Sequence, residues 1–312
     1  MFHEKTKHAA RSKWKGILGE FGVDRQALSG KHCACPLCGG TDRFRFDNRE
    51  GHGTWICNQC GAGDGMALAI KFTGKDFASV AAEIDALLGN VTFEPEKAKP
   101  VMTEAETRAM LRRVATQTVK VTAGDLVDTY LRSRHIGEVH YPKALRFAAA
   151  LPDGKGSIRP AMVATVRTHD GENVSLHRTF LKPDGTGKAE METPKKGLGP
   201  QPDGCAVRLC DDWHGGPLGI AEGIETAMSA SAHFDMPVWA ALDAGNLSKW
   251  IPPEGCTEVA VFGDNDRNYA GQRAAYVLAH RLATGKAPLP VTVHIPSEAK
   301  TDWADVWVRS RQ

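Results

Sequence analysis

Pro217-Leu-Gly-Ile-Ala-Glu-Gly-Ile-Glu-Thr-Ala-Met-Ser-Ala230 is the stretch whose reading decides the fold. Its opening apolar run, Pro217 to Ala221, has the length of a buried strand and stops at Glu222-Gly223. A helix of small residues through Ala227, Met228 and Ala230 follows. Strand, acidic loop and helix in that order make the repeating unit of a parallel α/β sheet.

The same pattern recurs toward the C-terminus. Pro237 to Leu242 reads as a second strand, and Glu258 to Gly263 as a third that delivers Asp264 and Asp266 into a loop before a helix from about Tyr269 to Leu282. Val291 to Ile295 reads as a fourth, followed by Asp302 and Asp305. Four such runs predict a doubly wound parallel sheet flanked by helices, with its site outside the carboxyl ends of the strands. Taken singly, Glu222 could be a helix-capping acid and Asp264 and Asp266 turn residues. Three acidic loops on one sheet edge instead point to a Mg²⁺ or Mn²⁺ site, because hard cations prefer oxygen ligands and retain water and substrate phosphates. Asp264 and Asp266 alternate about Asn265 and can face one cation. Glu222 can act as ligand or as general base. Glu225, about one helical turn further, and Asp243, at the end of the second strand, are further candidates.

Near the N-terminus, Cys35-Pro-Leu-Cys38 and Cys57-Asn-Gln-Cys60 form two knuckles 18 residues apart, a structural Zn²⁺ spacing. Between them Arg43-Phe-Arg-Phe46 and Thr54-Trp-Ile56 alternate with the period of paired strands, which predicts a zinc ribbon. Cys33 does not make a standard knuckle with Cys38 and reads as a bystander. Cys205, Cys210 and Cys256 have no ligand spacing and read as buried apolar residues. A closed four-thiolate site is structural, so the ribbon's function belongs to its surface. Arg43, Arg45 and Trp55, with Phe44 and Phe46, are residue types that pair with phosphates and stack on unpaired bases. The competing reading places the aromatics in the ribbon's own core.

Residues 65–88 carry a helical pattern interrupted at Thr73-Gly74, and residues 90–101, with Pro95 and Pro100 among charges, read as a linker. Thr103 with Glu106 is a capping-box signature, and a further helix is expected from about Ala123 to His135. Met162 to Val166 and Val174 to Leu181 read as a hairpin turning at Asp170-Gly171. Cations cluster on and after it: Arg159, Arg167, Arg178, Lys182, Lys188, Lys195 and Lys196, with glycines between them that let backbone approach a phosphate chain.

The chain has 312 residues, enough for several units, each with a core. Its net charge of +2 hides an asymmetry: residues 101–200 carry 16 Lys and Arg against 11 Asp and Glu, residues 201–312 carry 9 against 14. A basic middle beside an acidic end suits a polyanion held next to a metal. No apolar run approaches a membrane span and residues 1–15 lack an apolar signal core, so a soluble, cytoplasmic protein without membrane contact is expected. Eight cysteines in such a chain point to metal or free thiols rather than disulfides.

Glu222-Gly223 after an apolar strand, Asp264-Asn-Asp266 after another and a late Asp resemble the Toprim domain of DnaG-type primases, topoisomerases and some nucleases. Ala221-Glu-Gly-Ile-Glu-Thr-Ala227 is similar to the glutamate motif of phage- and plasmid-encoded alpha-type primases, and Cys35 to Cys60 resembles their zinc ribbon. Tyr130-Leu-Arg-Ser-Arg-His-Ile136 with Ala144-Leu-Arg-Phe147 resembles the segment preceding Toprim in such proteins. DnaG-type primases have a further acid where this chain has Thr226.

The resemblance implies an α/β chain in four parts. These are a ribbon (1–65), a helical segment and linker (66–100), a mixed α+β basic part of a primase core (101–212) and a Toprim domain (213–312). It implies Glu222, Asp264, Asp266 and Asp302 as catalytic residues, joined by Asp305 as magnesium ligands. Nucleotide and template contacts would come from Arg43, Arg45, Trp55, Arg146, Arg178, Lys182, Lys188, Lys195 and Lys196. Single-stranded DNA and nucleoside triphosphates are the implied partners. A helicase would act in trans, because no Gly-x4-Gly-Lys-Ser/Thr loop is present. The alternatives are a Toprim nuclease or a non-catalytic single-strand-binding accessory protein. A topoisomerase needs a nucleophilic tyrosine, and Tyr130, Tyr141, Tyr269 and Tyr276 lack such a context.

Overall fold

A computed structural model describes residues 2–88, 102–138 and 140–312. The linker expected at 90–101 lies outside them. Two compact units divide the chain, residues 1–101 and 102–312.

In the first unit, helices α1 (Phe2–Ala9) and α2 (Trp14–Glu20) precede strands β1 (Cys33–Cys35), β2 (Gly39–Phe46), β3 (Trp55–Cys57) and β4 (Gly61–Gly63), which pair antiparallel in sequence order. The register sets Phe46 opposite Trp55 and Phe44 opposite Cys57, so one face of the ribbon carries all three aromatics inward. The helical pattern after the ribbon forms α3 (Gly65–Thr73) and α4 (Phe77–Leu87), capped by the Asp64 and Asp76 side chains. Gly74 ends α3 in the left-handed conformation, φ 69°, which is the break expected at Thr73-Gly74. Trp14, Ile17 and Leu18 of α2 share a single core with Phe44, Trp55, Met66, Leu68, Val80 and Ile84. The ribbon and both later helices therefore bury their apolar faces together.

The second unit holds two sheets. The expected capping box opens α5 (Glu104–Ala115), and β5 (Val119–Lys120) and α6 (Leu126–Ser133) follow. Strands β6 (Leu145–Pro152), β7 (Ile158–Arg167), β8 (Asn173–Phe180) and β9 (Lys195–Leu198) complete an antiparallel sheet ordered β5-β6-β7-β8-β9. The β7–β8 hairpin turns at Gly171, φ 100°, as its Asp-Gly pair predicts.

Strands β10 (Gly216–Ala221), β11 (Val238–Ala240), β12 (Cys256–Phe262) and β13 (Val291–His294) then alternate with α7 (Ile224–Phe234), α8 (Ala244–Lys249) and α9 (Ala270–Thr284), with α10 (Trp303–Arg309) last. All their pairings are parallel, in the order β11-β10-β12-β13. Alternation along each strand divides the apolar residues between two cores. Leu218, Ile220, Trp239, Val259 and Val261 pack with Leu247 of α8 and Leu278 of α9. Ala221, Val238, Ala260 and Phe262 pack with Ala227 of α7 and Trp307 of α10, and that core continues into Tyr130, Leu131, Leu145 and Met162. The parallel and antiparallel sheets thus share one core. Ala221 lies level with Ala240 and Phe262, and Phe262 level with His294, so the loops bearing Glu222 and Asp264 leave the same edge.

Candidate metal centres

The parallel sheet's carboxyl edge collects the acids expected of it. Glu222 follows β10 directly, and Asp264 follows β12 by one glycine. Burial pushes the Glu222 carboxyl up to about 7, helped by the charges of Asp266, Asp243 and Asp302 and opposed by Lys195. Burial likewise pushes Asp264 up to about 8, helped by Glu222, Asp302 and Asp266. Oε2 of Glu222 and Oδ1 of Asp264 are buried without a hydrogen-bond partner. Buried, mutually repelling carboxylates with orphaned oxygens are short of positive charge, and a divalent cation fits that deficit.

Asp266 turns one oxygen toward the start of α9, where Oδ2 accepts from the Gly271 N–H at 3.0 Å. Asp302 N-caps α10 by accepting from the Asp305 N–H at 2.8 Å, and its other oxygen accepts from the Thr226 hydroxyl at 3.4 Å. Asp305 returns the capping bond to the Asp302 N–H, so its carboxylate serves the helix start. Asp243 caps α8. Where the DnaG-type pattern has an acid, Thr226 therefore reaches the set through Asp302.

These carboxylates stand further apart than the cysteines. Among the described residues, Cys35, Cys38, Cys57 and Cys60 alone form a group of three or more potential ligands within 4.8 Å of one another. Carboxylates facing each other repel, and a hard cation that keeps part of its water spans a wider ring. The thiols suit a closed tetrahedron. Cys35 Sγ lies 3.9 Å from Cys60 Sγ and Cys38 Sγ 3.7 Å from Cys57 Sγ. Zn–S bonds of about 2.3 Å give tetrahedral edges of about 3.8 Å. Burial, then the crowding of neighbouring thiols, pushes Cys60 far up, so four thiolates need Zn²⁺ to coexist. Cys33 is buried outside this group.

Glu225 is taken up by cations and a tyrosine. Its fully buried side chain accepts from the Tyr130 hydroxyl at 2.6 Å and pairs with Lys188 Nζ at 3.1 Å and Lys195 Nζ at 3.2 Å. Burial alone would raise its pKa, but Lys195, Lys188 and Tyr130 outweigh it and hold the carboxyl well below the usual range. His177 of β8 is buried beside this group and neutral, pushed down to about 4 by burial and then by Lys195. Sequence reading missed this network. Tyr130 and Glu225 are 95 positions apart, and no local pattern joins them.

The remaining cations are engaged in varied ways. Arg146 bonds the Thr118 hydroxyl at 2.6 Å and carbonyl at 2.9 Å, tying β6 to the start of β5. Arg178 donates to the Gly197 carbonyl at 3.2 Å and lies 5.7 Å from the Phe180 ring. Lys196 reaches the Asp153 carbonyl at 2.7 Å, and Lys182 pairs with Glu190 at 2.9 Å. On the ribbon, Arg43 bonds Gln59 and Arg45 pairs with Asp47. The expectation that Trp55 stacks on bases is corrected. Its ring is 2% exposed, lies 5.8 Å from Phe44 and donates Nε1–H to the Asp64 carbonyl. Strand alternation puts Trp55 on the core face and leaves Arg45 and half-exposed Ile56 opposite one another on the outer face.

Three families match successive stretches of the chain. Residues 30–66 match the zinc-binding domain of primase-helicase, residues 105–209 a domain of unknown function, and residues 217–311 the Toprim domain. Among solved structures, the primase fragment of the bacteriophage T7 primase-helicase protein is 16% identical over 90% of this chain and 95% of that one, with a TM-score of 0.40. The Aquifex aeolicus primase, with its zinc-binding and RNA polymerase domains, is 14% identical over 99% and 85%, with a TM-score of 0.38. A DnaG primase catalytic domain bound to single-stranded DNA is 14% identical over 66% and 79%, with a TM-score of 0.43. At such scores these likenesses decide nothing about the chain, and its assignment rests on the family matches. The zinc-binding domain of primase-helicase and the Toprim domain, matched in one polypeptide, support the resemblance to DnaG-like primases.

Proposed function

We propose that the protein is a DNA primase that joins ribonucleotides into short primers on single-stranded DNA by Mg²⁺- or Mn²⁺-dependent nucleotidyl transfer. One observation carries this reading: buried, partnerless oxygens of Glu222 and Asp264 at the sheet edge where Asp266 and Asp302 also lie, with Lys195 beside them. Asp264, Asp266, Glu222 and Asp302 would hold the cation. When bound, it neutralises the triphosphate and the charge developing at the reacting phosphorus. Glu222 would serve either as a ligand of that cation or as the base that takes the proton of the attacking hydroxyl. Lys188 and Lys195 face the triphosphate, while Arg178, Lys182, Lys196 and Arg146 line the basic half that receives template backbone. Arg43 and Arg45 on the ribbon's outer face meet template phosphates. The resemblance supports a replicative helicase as a partner.

The test is primer synthesis on random single-stranded templates with labelled ATP and Mg²⁺. Glu222→Ala and Asp264→Ala are each expected to abolish incorporation while leaving zinc content intact. Full primer yield from either variant refutes the reading. Shortened template in place of primers identifies a nuclease, and tight single-strand binding without turnover in Mg²⁺ or Mn²⁺ identifies an accessory protein. Strand passage finds no support at Tyr130 and Tyr141, which are buried and donate to Glu225 and Asp128.

A further inference from the structure

The most unusual group outside the carboxylate edge is Glu225, and it is unusual in charge. It is a buried anion held by two ammonium groups, Lys188 on the approach to β9 and Lys195 at its first residue. One carboxylate for two ammoniums leaves an excess of one positive charge. Both lysines keep about a third of their side chains exposed, against 4% for Glu225. The excess charge is therefore available to a ligand, while its anchor is not. It also lies next to the acidic loop: a Cβ on Gly223 would sit 3.7 Å from Lys195 Nζ.

We propose that Glu225, steadied by the Tyr130 hydroxyl, is a positioning residue that fixes Lys188 and Lys195 as one clamp for the polyphosphate of an incoming nucleotide beside the carboxylate edge. Deepening the primase reading, the proposal rests on it for the nucleotide, though not for the clamp. Long lysine side chains bind anions readily wherever they point, so Glu225 contributes direction rather than attraction. Its negative charge in fact opposes anion binding. It helps because near-attack geometry depends on where the two Nζ atoms stand. The other charged groups around the clamp are Arg134 and Arg178, with Asp302, Glu222 and Asp264 on the Lys195 side, where they share its positive charge. His177 there is neutral.

Inorganic tripolyphosphate with Mg²⁺, titrated calorimetrically against the full chain, reads the clamp without turnover, and primer synthesis reads positioning. Lys188→Met and Lys195→Met should each weaken tripolyphosphate about tenfold, the loss expected for one charge-assisted contact. Glu225→Gln should bind it as tightly as the parent or more so, yet lose tenfold or more in kcat. Glu225→Asp should recover part of that loss. Structural damage would instead raise KM and weaken binding together, and that result in a folded Glu225→Gln overturns the proposal. Should Glu225→Gln not fold, reductive methylation of the unaltered chain decides: tripolyphosphate should protect Lys188 and Lys195 together, and protection of neither overturns the clamp. A parent chain that binds tripolyphosphate through both lysines but makes no primers would sink the primase reading and leave the clamp standing.

Discussion

At the scale of single residues, the raised pKa values of Glu222 and Asp264 make the metal-free protein sensitive to alkali. A carboxyl whose folded pKa lies above its unfolded value binds protons more tightly when folded, so stability is full below the unfolded value and lost as pH climbs through the folded one. For Glu222 that window runs from 4.5 to about 7, and for Asp264 from 3.8 to about 8. The metal-free chain should therefore melt lower at pH 9 than at pH 6. Asp264→Asn should recover at least about 2 °C of that difference, the shift from about 1 kcal/mol in a unit of this size. Mg²⁺ should recover it too. Thermal melts at the two pH values with chelator check this, and an Asp264→Asn profile parallel to the parent would count against the electrostatic account. Trp55 makes the opposite kind of claim. As a buried ring against Phe44, its replacement by Ala should cost about 3–5 kcal/mol and release zinc to a chelator at lower concentration. Unchanged zinc retention with weakened DNA binding would restore it as a stacking platform.

At the scale of elements, Gly271 ties the fold to the site. It lies in the first turn of α9, and a Cβ there would sit 2.6 Å from the Asp264 carbonyl and 3.0 Å from its Cβ. Gly271→Ala must push the helix away from the loop, an overpacking cost of about 1–3 kcal/mol. Mg²⁺ affinity and primer yield should fall about tenfold or more while the melting temperature drops only a few degrees; equal activity to the parent would show that the helix start can yield. The parallel strands were legible in the sequence because each is a short apolar run, and three of them, β10, β11 and β12, lead within three residues to an acid. The ribbon was legible because cysteine spacing is a local signal. Strand β6 was not, since Leu145-Arg-Phe-Ala-Ala-Ala-Leu-Pro152 alternates poorly and becomes a strand only by pairing with β7. Helices α1 and α2 were equally silent: Trp14, Ile17 and Leu18 are too few to declare a face without the ribbon they cover. Of the candidate site residues, Glu222, Asp264 and Asp266 could be named from strand ends, and Asp302 from the loop that follows the fourth strand. Glu225 could be named but not understood, because its partners come from α6 and from the approach to and start of β9, far away in the chain.

At the scale of the whole molecule, residues 102–312 are expected to behave as one cooperative body. Tyr130, Leu145 and Met162 share their core with Ala221, Phe262 and Trp307, and Trp307 Nε1–H donates to the His135 carbonyl at 2.7 Å. A fragment of residues 102–312 should unfold in a single transition that coincides by circular dichroism and tryptophan fluorescence. Two separated transitions would mean that the sheets stand independently. The Glu225 network gives this union a direction in time. A ribosome releases Tyr130, Lys188 and Lys195 well before Glu225, and Trp307 later still, so the antiparallel half must wait with unanswered charges and an open apolar face. Its folding can finish only when α10 has emerged from the ribosome, which postpones the assembly of a working edge until the whole of this unit has been translated.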